Sequence, residues 1–123
     1  MKRIWIGFGL LGLLLSLGFL TAGRMEQVHS EISHRLERAA EAEKWEEATA
    51  LSQEAEKQWQ RHSHFTASVA DHENIDRIDS LFAQLEVYRR QRDPDAHAAT
   101  CAYLAETVTA LKEAHRLTWW NLL

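Results

Sequence analysis

The chain opens with a long stretch that carries no charge. Residues 4–22, IWIGFGLLGLLLSLGFLTA, are 19 consecutive uncharged residues, most of them large and apolar. At about 1.5 Å rise per residue, a helix of this length is close to the ~30 Å thickness of a bilayer's hydrocarbon core. The pattern predicts a single-pass transmembrane helix, with residues 1–23 as an N-terminal signal anchor and residues 24–123 as a separate domain.

The flanking charges predict the orientation of this anchor. Lys2 and Arg3 precede it, whereas Arg24 on the other side is soon offset by Glu26. Because positive flanks favour the cytoplasmic side, we expect a cytoplasmic N-terminus and an extracytoplasmic domain at the cell membrane. The alternative is a cleaved secretory signal. The apolar stretch is long for such a signal, but Thr21-Ala22-Gly23 offers a small-residue cleavage site.

The remainder of the chain favours helix over strand. All five glycines lie at or before Gly23, and Pro94 is the only proline. The region is rich in Ala, Glu, Gln, Leu and Arg, which are good helix formers, and it lacks the alternation and turn residues of strands. The predicted fold class is all-α.

Apolar residues recur every three or four positions and divide this region into four helices. The predicted segments are 24–41, which continues the transmembrane helix, 44–62, 73–91 and 94–117. Similar lengths and short connections predict an antiparallel up-down bundle. The expected core positions are Met25, Val28, Ile32, Leu36 and Ala39; Trp45, Ala48, Leu51 or Ser52, Ala55 and Trp59; Ile75, Ile78, Phe82, Leu85 and Tyr88; and Cys101, Leu104, Val108, Leu111 and Ala114 or His115.

Two of the connections carry local signals. Asp93 as N-cap and Pro94 at the first helical position predict the start of the fourth helix. The third helix should end in the cationic turn before Asp93. Between His62 and Asn74 the sequence HSHFTASVADHEN gathers poorer helix formers, and Asp71 could serve as an N-cap. We therefore predict a break or a sharp kink there.

Charge and cysteine content exclude several classes of function. Removing Lys2 and Arg3 from the 14 Lys and Arg leaves 12 against 18 Asp and Glu, a net charge of −6 beyond the anchor's start. This balance lacks the basic footprint of a nucleic-acid-binding protein. Cys101 is the only cysteine, so no intramolecular disulfide can form, and its place on an apolar stripe indicates a small core residue rather than a nucleophile.

Histidines and acidic residues gather around the predicted break. His62, His64, Asp71 and His72 are the candidate ligands for a metal such as zinc, since imidazole and carboxylate groups suit such ions. The predicted topology also brings His29 and His115 toward this end of the bundle. Surface histidines serve structural roles more often, and no established metal-binding or catalytic motif is present. We therefore predict no catalytic residue, no cofactor and no assigned metal site.

Two further features suggest contact surfaces. Trp119 and Trp120, near the C-terminus, either lie at the lipid headgroups, which tryptophan favours, or fold back onto the base of the bundle. Gly9, Gly12 and Ser16 share one face of the anchor and would allow close helix contact in lipid, although glycine is common in membrane helices.

Several short segments are distinctive. They are the anchor beginning Met-Lys-Arg, Trp45-Glu46-Glu47-Ala48, Trp59 followed by His62, Asp71-His72-Glu73-Asn74-Ile75-Asp76, Leu85 to Tyr88 and Asn121-Leu122-Leu123. Through them the sequence resembles the uncharacterised bacterial Domain of Unknown Function 4363 family over nearly its whole length. The resemblance implies a membrane-anchored helical protein and supplies no activity.

Two functional hypotheses follow. The first is a non-enzymatic interaction or structural module at the outer face of a bacterial membrane, which contacts the bilayer and an integral membrane protein or a second copy of itself. The second is a small-ligand, metal or pH sensor that uses the histidine-rich end of the bundle.

Overall fold

The computed structural model describes residues 2–67 and 72–122, and it describes the side chains of residues 3–17, 20, 26–62 and 73–114. These residues form four α-helices and no strand, so the all-α prediction is confirmed. The helices are α1 (Lys2–Glu41), α2 (Trp45–Ala67), α3 (His72–Gln91) and α4 (Pro94–Leu122).

The four helices pack as a bundle in chain order. α1 packs extensively against both α2 and α4, α3 packs against α4, and α2 and α3 meet along a sparser contact. α2 and α3 run antiparallel, because Ser52 contacts Arg89 near the end of α3 whereas Trp59 contacts Asp79 near its start. The loops 42–44 and 92–93 therefore lie at one end of the bundle. The end of α2 and the start of α3 lie at the other.

One continuous core joins the four helices. Every helix contributes buried side chains from the stripe that the sequence predicts, and Ser52, rather than Leu51, is fully buried at the position left open on α2. The core residues are Ile32, Leu36, Ala39, Ala55, Trp59, Ile75, Ile78, Phe82, Leu85, Cys101, Leu104, Ala105, Val108 and Leu111. On α4, Ala114 is exposed, and the side chain of His115 lies outside the described residues.

The α3–α4 connection forms as the sequence predicts. The Asp93 carboxylate accepts the Ala96 backbone N–H at 3.2 Å and so caps the start of α4. At the end of α3, Arg92 has a φ of 52°. The Asp93 N–H reaches the Tyr88 carbonyl at 3.2 Å, the capping pattern that usually places glycine where Arg92 stands.

Two predicted boundaries are wrong. α2 ends at Ala67 rather than at residue 62, and α4 ends at Leu122 rather than at residue 117, whereas the starts of α2 and α3 each differ from the prediction by one residue. Ser, Thr and His lower helix propensity by only about 0.5 kcal/mol each, which does not stop a helix that packing has already formed. Helical structure therefore extends into the predicted break as far as Ala67 and from His72, and residues 68–71, which include Asp71, lie outside the described residues.

The N-terminal half of α1 extends beyond the bundle without interrupting the helix, which runs for 40 residues. Its described large apolar side chains are all exposed. The first of them, Ile4, is 64% exposed, and the last, Leu20, is 71% exposed. Within the part of the chain that the structure describes, no helix has both the length and the apolar character needed to traverse a membrane. The transmembrane anchor at residues 4–22 stays a prediction.

Candidate functional site

The most concentrated polar chemistry lies inside the bundle, near the end that holds the loops 42–44 and 92–93. We call it the His97 cluster. It comprises Ser52 and Glu56 on α2, Arg89 on α3, and His97 and Cys101 on α4. His97, Ser52 and Cys101 are all at most 1% exposed. Polar groups at this depth are costly unless they are hydrogen-bonded.

Hydrogen bonds satisfy this cluster when the imidazole is neutral. The Ser52 hydroxyl donates to the Thr49 carbonyl at 3.0 Å and accepts from Arg89 Nη1 at 3.1 Å. His97 Nε2 lies 3.0 Å from the same oxygen, so it donates to the remaining lone pair. His97 Nδ1 is then the acceptor, and the Cys101 thiol lies 3.8 Å from it, within reach of a weak S–H hydrogen bond.

Arg89 connects the buried serine to the surface. Its Nη2 donates to the Glu56 carboxylate at 2.7 Å, and the two side chains are only 10% and 18% exposed. The planar guanidinium can contact both partners at once, which a lysine ammonium on a single stem does less well. Arg89 and Glu56 also line an open groove of about 580 Å³ between α2 and α3, whereas Ser52 and His97 do not line it.

The surroundings suppress ionisation of both titratable groups that α4 contributes to the His97 cluster. Burial, reinforced by the positive charge of Arg89, lowers the pKa of His97. Burial raises the pKa of the Cys101 thiol to about 12, against a smaller opposing effect of Arg89. At neutral pH the cluster therefore holds a neutral imidazole and a protonated thiol. The thiolate that nucleophilic chemistry requires is not formed.

A second polar contact secures the middle of the bundle. Trp59 is 1% exposed, and its indole Nε1 donates to the Asp79 carboxylate at 2.7 Å. The same indole stacks on Phe82 with ring centroids 6.4 Å apart and lies 6.3 Å from the His29 ring. Trp59 thus ties α2 to α1 and α3.

Comparison with known protein families assigns this bundle to a family. The model of a domain of unknown function (DUF4363) matches residues 24–122. The chain belongs to the DUF4363 family. Neither a curated protein nor a solved structure matches it. The family resemblance drawn from the sequence motifs is confirmed.

Three of the motif residues of the DUF4363 domain serve its packing. Trp45 is half-buried and meets the His97 ring edge-to-face, with centroids 5.1 Å apart. Ile75 is buried, as the sequence predicts, whereas Glu73 and Asp76 are exposed at the start of α3. The structure thus places Trp59, Trp45 and Ile75 in or beside the core.

The metal candidates are only partly described in this DUF4363 domain. His62 is half-buried on α2, whereas the side chains of His64, Asp71 and His72 lie outside the described residues. Among the side chains that are described, no group of three or more His, Cys, Asp or Glu residues could hold a metal. The side chains of Trp119 and Trp120 are likewise outside the described residues. The sensor hypothesis stays a prediction.

Sequence reasoning missed the His97 cluster of this DUF4363 domain. The predicted apolar stripe of α4 starts at Cys101. A stripe extended by one helical turn toward the N-terminus would have included His97. Arg89 belongs to the cationic turn that the sequence predicts at the end of the third helix, and that prediction gives it no role inside the bundle. A histidine four residues before a buried cysteine is the signal that could have located the cluster.

Proposed function

We propose that this DUF4363 protein is a membrane-anchored, non-enzymatic interaction module that holds a helical bundle at the outer face of a bacterial membrane. One observation carries the proposal, namely the exposed apolar surface on the N-terminal half of α1. Its large side chains are between 50% and 78% exposed. They are Ile4, Trp5, Ile6, Phe8, Leu10, Leu11, Leu13, Leu14, Leu15, Leu17 and Leu20.

This surface surrounds the helix instead of forming one stripe. Residues 10, 11, 13, 14, 15 and 17 point in all directions around an α-helix, and every one is leucine. Burial of one such side chain is worth about 1.5–3 kcal/mol, so the segment has a strong drive to leave water. A lipid environment covers all sides of a helix, whereas a single packed protein partner covers one.

Charge and family match support the proposed placement. Lys2 and Arg3 precede the apolar stretch, which favours a cytoplasmic N-terminus. The family match begins at residue 24, directly after the stretch, so the family domain would lie on the extracytoplasmic side.

The His97 cluster supports a non-enzymatic role. Its imidazole is neutral, its thiol is protonated, and both are sealed in the core. The groove beside it is an open polar surface whose two arginines face glutamates at 2.7 Å. We assign the contact role to the bilayer-proximal end, where Trp119 and Trp120 or the Gly9, Gly12 and Ser16 face would meet an integral membrane protein or a second copy.

Fractionation tests the anchor. The full chain, expressed in bacteria, should remain in the membrane pellet after alkaline carbonate extraction. Leu13→Arg with Leu14→Arg should move it to the supernatant, because each charge at a membrane centre costs roughly 2.5–3.5 kcal/mol. The matched control is Val87→Arg with Tyr103→Arg, which places two charges on exposed bundle positions and should leave the protein in the pellet. A wild-type chain released by carbonate would overturn the anchor.

Orientation and contact need separate tests. Alkaline phosphatase fused after Leu123 should be active, because this enzyme matures outside the cytoplasm, and a fluorescent protein in its place should be dark. Crosslinking in membranes should capture a defined complex. This complex should be lost in one of two double variants, either Trp119→Ala with Trp120→Ala or Gly9→Leu with Gly12→Leu. Complexes unchanged by both pairs would contradict the assigned contact surfaces.

A further inference from the structure

The contact between α2 and α3 is the sparsest between neighbouring helices of the bundle. We call it the α2–α3 seam. Polar bridges cross it, from Arg89 to Glu56 at 2.7 Å, from Arg89 to Ser52 at 3.1 Å and from Trp59 to Asp79 at 2.7 Å. A seam that depends on a few polar bridges can open locally at less cost than a fully apolar one.

Ser52 is the point where the seam meets α4. Its oxygen lies 3.0 Å from His97 Nε2 and also accepts from Arg89, so one hydroxyl joins α2 to both α3 and α4. Its hydrogen is already donated to the Thr49 carbonyl. With its hydrogen on that carbonyl, the hydroxyl accepts from His97 Nε2, and Nδ1 of the neutral imidazole is then the acceptor.

A proton on His97 would break this arrangement. The added Nδ1–H would point at Cys101 Sγ, which is a weak acceptor. The imidazolium would also face the positive charge of Arg89 across the shared serine. The charge that acts on His97 is that of Arg89 on α3, which is paired with Glu56 on α2. On α4 itself, Cys101 lies beside the ring, and the Asp93 carboxylate, one turn earlier, caps Ala96.

We propose that the contact between His97 and Ser52 is a proton-sensitive latch that holds α2 against α3 and α4 at neutral pH and releases α2 as the pH falls. The proton binds the released form, in which the imidazole reaches water. This latch lies at the opposite end of the bundle from the histidines around residues 62–72. It is independent of the proposed membrane role.

Cys101 provides a specific probe of the release. It is the only cysteine in the chain and is 0% exposed, so a thiol reagent reaches it only after opening. The full chain, in a non-ionic detergent, would be labelled with dithiodipyridine at pH 7.5 and 5.5. Dividing each rate by the rate in urea at the same pH cancels the intrinsic reactivity and gives the opening constant.

The opening constant should rise from pH 7.5 to 5.5, by up to about tenfold, since the released histidine titrates near pH 6.5 and the pKa of the latched one is lower. His97→Gln should abolish the rise, and so should His97→Asn, which is the second variant if glutamine fails to fold. His34→Gln removes an exposed histidine on α1 and should keep it. A wild-type opening constant that is equal at the two pH values would overturn the latch, whatever the variants do.

Urea unfolding monitored by circular dichroism separates local release from global unfolding. At pH 7.5 the opening constant at Cys101 should exceed the global unfolding constant, because releasing α2 leaves the other helices folded. Equality of the two constants would show that Cys101 is reached only through complete unfolding. That result would overturn a local latch.

Discussion

The guanidinium of Arg89 donates to the hydroxyl of Ser52 at 3.1 Å. The Arg89 side chain is 10% exposed, and Ser52 is fully buried. Replacing Ser52 with alanine removes the acceptor of both Arg89 and His97. We expect Ser52→Ala to lower the free energy of unfolding by about 1–3 kcal/mol, the cost of buried donors left unpaired. Urea denaturation measures this. Ser80→Ala, at an exposed position on α3, should change it by less than about 0.5 kcal/mol.

Two adjacent arginines offer a matched comparison. Arg89 pairs with Glu56 in a nearly buried contact, whereas Arg90 pairs with Glu86 at 76% and 49% exposure. Arg89→Lys should destabilise the domain by about 1–3 kcal/mol, because lysine cannot keep the contacts to Ser52 and Glu56 together. Arg90→Lys should cost at most about 0.5 kcal/mol. Equal losses in urea denaturation would contradict the structural role assigned to Arg89.

The Trp59 contact predicts different roles for two aspartates one turn apart. Asp79→Ala removes the carboxylate that accepts the indole N–H at 2.7 Å and should lower the free energy of unfolding by about 0.5–1.5 kcal/mol. Asp76→Ala, at an exposed motif position, is the control and should have less effect. If both aspartate substitutions leave the free energy of unfolding unchanged while Trp59→Phe lowers it, the indole contributes through packing alone.

Alkaline pH should destabilise the domain through Cys101. Its pKa in the folded chain is about 12, above the value near 9 of a free thiol. The unfolded state therefore releases its proton first, so stability present below pH 9 is lost as the pH rises toward 12. Between pH 8 and 10 the wild type should lose about 1.4 kcal/mol more than Cys101→Ala does. If the stability of the wild type and of Cys101→Ala, measured by urea denaturation, falls equally with pH, the thiol is not responsible for the loss.

Zinc tests the alternative sensor function. If the protein is the interaction module proposed above, adding zinc should not change the thermal unfolding midpoint of the full chain. Circular dichroism measures this midpoint. An increase that His72→Ala abolishes and His34→Ala keeps would favour a metal site at the histidine-rich end. His62→Ala would then show whether α2 supplies a ligand.

Helix boundaries were predictable where a strong local signal exists. Asp93 and Pro94 fix the start of α4, because proline lacks the N–H that a first helical residue leaves unpaired and aspartate supplies an acceptor. The His62–Asn74 region has no such signal. Its polar composition lowers helix propensity slightly, and α2 continues through five residues that the sequence assigned to a break.

The buried site was less predictable than the core. Periodicity locates apolar stripes, and it correctly placed Leu36, Leu85 and Leu104 at full burial. It does not show which polar residues share such a stripe, because a buried histidine or serine depends on partners from other helices. Ser52 and His97 are 45 residues apart, and only the packing of α2 against α4 brings them together.

The uninterrupted course of α1 has a mechanical consequence. The helix is 40 residues long and therefore about 60 Å from end to end, and it contains no break between the apolar segment and the bundle. A flexible linker would let the two parts turn independently, but a continuous helix transmits torque. Any rotation of the apolar segment about its axis would swing the whole bundle through the same angle and change which of its faces a neighbouring molecule meets.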